Sequence, residues 1–200
     1  MQQTQSLEFG KFYHIYNRGI NSENLFKENR NHQYFLMLYS KHIDPIAETY
    51  AWCLLKNHFH LLVRIKTTDE ILKHQKEKNT VKIIAPHQSF GNLFNAYTKA
   101  INKSYSRHGA LFERPFKRKL IDNASYLCSV IKYIHNNPVN HGFCEHPIEY
   151  PWSSYLTCLS EKPTKLKREE VILLFKNTDN LKSYHEEKGN LSFVENYLNL

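Results

Sequence analysis

Long apolar runs are missing from this chain of 200 residues. Its uninterrupted runs are only a few residues long, whereas a helix that spans a bilayer needs about 20 mostly apolar residues. The first residues also lack the charged-then-apolar pattern of a secretion signal. We therefore expect a cytoplasmic protein with no membrane partner.

Cysteine is scarce as well, and no two of the four cysteines form a C-x-x-C pair. Because that spacing is typical of structural zinc sites, we do not expect a zinc knot. Cys53 and Cys128 lie in apolar contexts, where a thiol behaves as a small buried hydrophobe. We assign no disulfide.

Basic and aromatic residues, by contrast, are abundant. Lysine and arginine number 27 against 19 acidic residues, for a net charge of +8, and there are 13 tyrosines and 12 phenylalanines. Cations neutralise phosphates and rings stack on unpaired bases, so this composition favours a nucleic-acid partner. A basic protein that is merely well solvated has the same composition, so charge alone is only a modest argument.

The hydrophobic pattern predicts an α+β fold of the ferredoxin-like type, with element order βαββαβ and an antiparallel sheet that carries helices on one face. Predicted strands cover residues 12–19, 46–55, 59–66 and 110–121, and predicted helices cover residues 29–42 and 89–107. Pro115 places the fourth strand at a sheet edge or a bulge, because proline cannot donate to a ladder. Residues 67–88 are a polar connector with at least one helical turn.

The rest of the chain is predicted to be mostly helical. A third long helix runs from about residue 123 to 136 and stops at Pro138, since the residue before a proline avoids helical angles. Small amphipathic helices are expected at residues 171–175 and 191–200.

The third predicted strand carries the clearest chemical signal, a His-Phe-His run. Side chains alternate along a strand, so His58 and His60 share one face while Phe59 and Leu61 share the other. Two neutral imidazoles side by side make half of a metal site. Two exposed histidines on the polar face of an amphipathic strand would give the same pattern.

The third predicted helix presents a phenol and an amide on one face, since Tyr133 and Asn137 are four residues apart. If this helix packs near His58 and His60, two imidazoles and an amide oxygen could hold Mg²⁺ or Mn²⁺, with zinc as the competitor. A cation beside a phosphodiester would help a tyrosine, whose ordinary pKa of about 10 makes it a weak nucleophile. A core tyrosine and a helix cap would also explain these two residues.

The chain resembles the single-tyrosine HUH transposase superfamily, and within it the REP-associated tyrosine transposase-like branch. Four ordered segments carry the resemblance, and together they cover most of the chain. They are residues 12–19 (FYHIYNRG), 52–63 (WCLLKNHFHLLV), 111–118 (LFERPFKR) and 133–139 (YIHNNPV), the last continuing to 150–155 (YPWSSY).

The resemblance implies a function and a set of roles. Tyr133 falls on the nucleophile of this superfamily, and His58, His60 and Asn137 fall on its metal ligands. Such enzymes cleave and rejoin single-stranded or hairpin DNA through a 5′-phosphotyrosine intermediate, with a divalent metal and no nucleotide cofactor. A catalytic helix after the last strand is implied, in a domain of residues 1–156 followed by a helical extension of residues 157–200.

The sequence leaves three questions open. The DNA contacts we expect come from basic residues around the site, for which a solvated surface is the alternative; they are Lys56, Arg64, Arg114, Lys117 and Arg118, with His135 as a weaker candidate. Some relatives exchange helices between subunits, so a homodimer is compatible with the sequence. The alternatives to a transposase are a non-catalytic or domesticated DNA-binding protein that acts on chromosomal repeats, and a metal-dependent hydrolase in which Tyr133 is structural.

Overall fold

The computed structural model describes residues 6–76, 85–187, 194 and 196. Within these residues, four strands form one antiparallel sheet in the order β2-β3-β1-β4. The strands are β1 (Phe12–Arg18), β2 (Ala47–Leu55), β3 (His58–Ile65) and β4 (Lys117–Ile121). The sheet order and the sequence of elements confirm the predicted ferredoxin-like fold.

Helices cover both faces of the sheet: the two of the βαββαβ unit lie on one face, as predicted, and the helix after the last strand lies on the other. They are α1 (Asn29–His42), α2 (Thr68–Lys76), α3 (Pro86–Ser104), α4 (Ala124–Asn140), α5 (Tyr155–Leu159), α6 (Arg168–Leu174) and α7 (Thr178–Glu186). The expected helix at residues 171–175 overlaps α6, and the one at residues 191–200 lies outside the described residues except for two positions. No helix in the described ranges is long and apolar enough to cross a membrane.

The strict alternation of β3 divides the interior into two hydrophobic cores. Phe59, Leu61 and Val63 pack on one face of the sheet, in the core that α1 and α3 cover. Leu62 faces the other way and packs in the core that α4 covers. The two histidines of β3 lie in phase with Leu62, so the strand period directs them toward α4.

Two boundaries differ from the prediction because of proline. β4 begins at Lys117 and not near residue 110, since Pro115 has no N–H to donate to the ladder. The segment before it forms an isolated bridge between Phe112 and Gly19, and the N–H of Glu113 donates to the carbonyl of Arg18 at 3.0 Å. At α3, Pro86 occupies the start of the helix, where its missing N–H is not needed, so α3 begins three residues before Ser89.

Helix α4 also corrects the prediction, because it passes through Pro138 and ends at Asn140. The proline sits in the last turn, where the loss of one N–H interrupts little of the helical ladder. Gly142 then adopts a φ of 70°, and the N–H of Phe143 donates to the carbonyl of Pro138 at 2.9 Å. Asn137 is therefore a helical residue and not the cap.

The last helices pack beside both α4 and the sheet: α7 contacts α4, and α6 contacts β2. His135 of α4 joins them through a buried chain of hydrogen bonds, 2.9 Å to His185 and 2.7 Å to Ser154. His185 in turn donates from Nδ1 to the carbonyl of Leu181 at 2.7 Å. His135 is thus a structural residue, and residues on both sides of position 156 share one core. The division into two domains stays a prediction.

Buried neutral histidines make the stability of this fold sensitive to acid. Burial lowers the pKa of His32 and His185 to about 4 and that of His14 to about 3. The unfolded chain titrates near pH 6.5, so it takes up protons first as the pH falls. We expect the urea midpoint, followed by circular dichroism, to fall steadily between about pH 6.5 and pH 4. His185→Gln should flatten this slope, and a midpoint independent of pH would contradict the assignment.

Candidate active site

Strand β3 and helix α4 enclose a cleft of about 770 Å³. His58 and His60 come from the strand, and Tyr133 from the helix. The other lining residues are Tyr16, Asn17, Arg18, Asn57, Phe59, Glu113, Lys117, His141 and Phe143. The metal site expected from the sequence required this helix to pack near His58 and His60. In the structure, α4 does pack on the face of the sheet that carries the two histidines.

His58 lies between two amide oxygens. Its Nδ1 lies 2.7 Å from Oδ1 of Asn57, and its Nε2 lies 3.1 Å from Oδ1 of Asn137. Burial lowers the pKa of His58 to about 4, so at neutral pH the ring carries only one N–H. When Nδ1–H donates to Asn57, the lone pair of Nε2 faces the lone pairs of Asn137.

His60 is more deeply buried, with 4% of its surface exposed. Its Nδ1 lies 2.9 Å from Nε2 of His14, which comes from the neighbouring strand β1. Burial first, and then the nearby imidazoles, hold the pKa of His60 well below its usual range. A neutral imidazole is the form that binds a metal ion.

Tyr133 belongs to α4 and lies next to these imidazoles. Its ring stands edge-on to His60, with ring centroids 5.5 Å apart, and edge-on to His14 at 6.2 Å. Only 5% of the residue is exposed. Asn137 follows one helical turn later and is 1% exposed, so the phenol and the amide face the strand together.

The residues present fit a divalent cation. Neighbouring ligands of an octahedral Mg²⁺ at 2.0–2.1 Å lie about 3 Å apart, which matches the separation of His58 Nε2 and Asn137 Oδ1. Two nitrogens and an amide oxygen are donors that Mg²⁺ and Mn²⁺ accept. Among the described residues no group of three His, Cys, Asp or Glu side chains could hold a metal, so the set depends on the amide.

The structure separates the basic residues expected to contact DNA. Lys117 pairs with Tyr16 in the β1–β4 ladder, faces α4 and lines the cleft. Arg118 pairs with Ile15 and points to the other face, where its guanidinium lies 3.9 Å from the ring centroid of Phe116. The period of the strand sends these two neighbours to opposite sides.

The other three basic residues lie farther from the histidines. Arg114 is exposed and lines a second cleft, of about 480 Å³, which shares Asn17 and Glu113 with the first. Lys56 is exposed in the turn between β2 and β3. These two positions flank the cleft without lining it.

Arg64 lies near the opposite end of β3, six residues from His58 and therefore about 20 Å along the strand. Its guanidinium forms ion pairs of 2.7 Å with Glu48 and with Glu70. These carboxylates raise the pKa of Arg64 and hold the side chain away from the cleft. The structure does not bring Arg64 together with the other predicted residues.

Several residues in or behind the cleft were not predicted from the sequence. His14 and Tyr16 alternate on β1, which is a sequence signal, but only the pairing of Tyr16 with His60 brings them to the site. His141 stands edge-on to His58 with centroids 4.9 Å apart, because α4 continues beyond Pro138. Glu113 pairs with Arg18 at 3.4 Å and lines the cleft.

The protein thus has an α+β fold in which two histidines of the sheet, His58 and His60, face a tyrosine of helix α4, Tyr133. Comparisons with known proteins confirm the resemblance to REP-associated tyrosine transposases. A protein of Haemophilus influenzae, provisionally named REP-associated tyrosine transposase, is 28% identical over 110 residues, which are 54% of this chain and 58% of that protein. The chain thus matches a little over half the length of this relative. No family model matches.

A solved structure shares the fold. It is that of a REP-associated tyrosine transposase bound to a REP hairpin, and it superposes with a TM-score of 0.62. The match covers 82% of this chain and 88% of that one, at 15% sequence identity. At this identity the likeness establishes the fold.

Proposed function

We propose that this protein is a metal-dependent DNA strand transferase of the tyrosine transposase type. The observation that carries the proposal is the convergence of His58 Nε2 and Asn137 Oδ1, 3.1 Å apart, beside Tyr133. When the proton of neutral His58 lies on Nδ1 and donates to Asn57, Nε2 and the amide oxygen of Asn137 face each other as acceptors and leave a position suited to a cation.

In this proposal each residue has one role. His58, His60 and Asn137 would hold Mg²⁺ or Mn²⁺, which supplies charge stabilisation at a phosphate when it is bound. Tyr133 is the nucleophile, and the rigid helix holds its phenol at the cleft where a phosphodiester can lie. Burial keeps both histidines neutral, and a neutral imidazole is the form that binds a metal ion.

The chemistry balances without a nucleotide cofactor. The Tyr133 oxygen forms a bond to the phosphorus, its proton passes to water, and the bond from phosphorus to the 3′ oxygen breaks. The leaving oxygen takes up a proton and becomes a 3′ hydroxyl, while the 5′ phosphate remains on the tyrosine. A 3′ hydroxyl from a second strand then reverses the step and releases the phenol.

The proposed substrate is single-stranded or hairpin DNA. The solved structure that shares this fold holds a REP hairpin, and Lys117 and Arg114 supply positive charge at the two adjoining clefts. Lys56 is proposed to reinforce this field beside the first cleft, and Arg118 from the other face of the sheet, over Phe116 of the second cleft. Arg64 is held by its two carboxylates. Whether two copies form a homodimer around one substrate stays a prediction.

A single assay tests the proposal. Labelled oligonucleotides with a hairpin and single-stranded flanks are incubated with the protein and Mn²⁺ or Mg²⁺, and a denaturing gel separates free strands from protein–DNA adducts. A metal-dependent adduct together with a free 3′ hydroxyl supports the strand transferase. Cleavage without an adduct would favour the hydrolase, and binding without cleavage would favour the non-catalytic DNA-binding protein.

Lys117→Ala should weaken DNA binding through the loss of one phosphate contact. For single strands, each such contact contributes about 0.7 to the slope of log affinity against log salt concentration. We expect the slope, measured by fluorescence anisotropy, to fall by about that amount. Lys165→Ala is the matched control, because Lys165 pairs with Asp44 at 2.8 Å away from the cleft. Equal slopes for Lys117→Ala and wild type would remove Lys117 from the interface.

A further inference from the structure

We infer that His14 is a positioning residue that accepts the Nδ1–H of His60 when the cation is bound, and so leaves the lone pair of His60 Nε2 for the cation. This inference rests on the proposed metal site and deepens it. It assigns a role to an imidazole of β1 that lies behind the cleft and outside the proposed ligand set.

The hydrogen bond joins the two rings directly. His60 Nδ1 lies 2.9 Å from His14 Nε2, and the rings are nearly parallel, with an interplanar angle of 6°. Because Nδ1 of His60 is used in this bond, Nε2 is the ring nitrogen left for the cleft. A cation needs the lone pair of that Nε2, so the proton of His60 must sit on Nδ1 and donate to His14.

The position of His14 argues against a packing role alone. The side chain is fully buried on β1, between the stacked ring of Tyr16 and the edge-on ring of Tyr133. Its Nδ1 is buried without a hydrogen-bond partner among the described residues. An apolar side chain would fill this space without an unpaired nitrogen of its own, so the imidazole is explained by the bond that its other nitrogen makes to His60.

The tautomeric states of the two rings link His14 to the metal. With the cation bound, Nε2 of His14 must accept, so its own proton lies on the unpartnered Nδ1. Without the cation, His14 can instead donate from Nε2 to His60, which places the proton of His60 on Nε2, toward the cleft. His14 therefore permits both states, whereas an apolar residue would leave Nδ1–H of His60 buried and unpaired in the bound state.

Two substitutions of similar length separate hydrogen bonding from packing. His14→Gln places an amide oxygen near the former Nε2 and can still accept from His60, whereas His14→Met fills a similar space without an equivalent acceptor. Partners behind metal-binding histidines typically contribute a factor of 10–100 in affinity. We expect His14→Met to weaken Mn²⁺ binding by at least about tenfold, and His14→Gln to stay much closer to wild type. His108→Leu, which removes an exposed imidazole elsewhere, is the control and should bind as wild type does.

The measurement is calorimetric titration of the full chain with Mn²⁺, together with thermal unfolding of each variant. A second readout needs no variant: in ¹⁵N-labelled wild type with Mg²⁺, a coupling across the hydrogen bond should join Nδ1 of His60 to Nε2 of His14, with the proton on His60. Equal Mn²⁺ affinity for His14→Met and His14→Gln, or no such coupling in Mg²⁺-bound protein, would overturn the role of His14 while leaving the metal site in place. Failure of wild type to bind Mn²⁺ would overturn the metal site itself, and this inference with it.

Discussion

Tyr133→Phe is expected to abolish the covalent protein–DNA adduct. Phenylalanine keeps the edge-on ring beside His60 but has no oxygen to attack phosphorus. Loss of a nucleophile costs several orders of magnitude in rate, so we expect a decrease of at least about 1,000-fold in adduct formation. The measurement is the rate at which a labelled hairpin oligonucleotide becomes attached to protein, on a denaturing gel with Mn²⁺. Binding of the same DNA should change little, because the phosphate contacts are unaltered.

The matched control for this experiment is Tyr34→Phe. Tyr34 lies on α1, on the opposite face of the sheet, and is 37% exposed. It should form the adduct at the wild-type rate. If Tyr133→Phe still formed adducts at that rate, another residue would be the nucleophile and the proposed role of Tyr133 would be wrong. If wild type and Tyr133→Phe cleaved DNA equally and neither formed an adduct, water would be the nucleophile.

Asn137→Leu is expected to produce the second largest effect. Leucine matches the branched shape of asparagine approximately but removes the oxygen that lies 3.1 Å from His58 Nε2. Loss of one of three protein ligands should weaken Mn²⁺ binding by about 100-fold, at least as much as the loss of an outer-sphere partner. Adduct formation at limiting Mn²⁺ should fall in parallel and recover partly at high Mn²⁺. Calorimetry and the adduct assay measure the two effects.

Asn137→Asp distinguishes ligation from packing. Aspartate has the same shape and retains an oxygen donor, and its charge suits Mg²⁺ and Mn²⁺. We expect it to bind Mn²⁺ at least as tightly as wild type. Equal Mn²⁺ affinity for the leucine variant and wild type would show that Asn137 is a structural residue of α4. Loss of binding in both variants together with a lower unfolding temperature would point to a packing role.

Local periodicity determined much of this protein from the sequence alone. Alternation along a strand placed His58 and His60 on one face, and helical spacing placed Tyr133 beside Asn137, because backbone geometry sets both periods. Element order was equally readable, since short connections and alternating patterns restrict a β-α-β-β-α-β chain to few topologies. The errors at residues 110–116 and at Pro138 arose where a proline lies close to the end of an element and the effect of its missing N–H depends on position.

Only the tertiary structure decided which of these features meet. The register of β1 against β3 brings His14 and Tyr16 to His60, and a shift of one residue would have buried them on the other face. The packing of α4 on the sheet places Tyr133 at the histidines, while six residues of β3 separate Arg64 from them. Register and layer packing are set by contacts between segments far apart in the chain. A single sequence therefore identifies the chemical groups, but the cleft that they form together depends on the folded sheet.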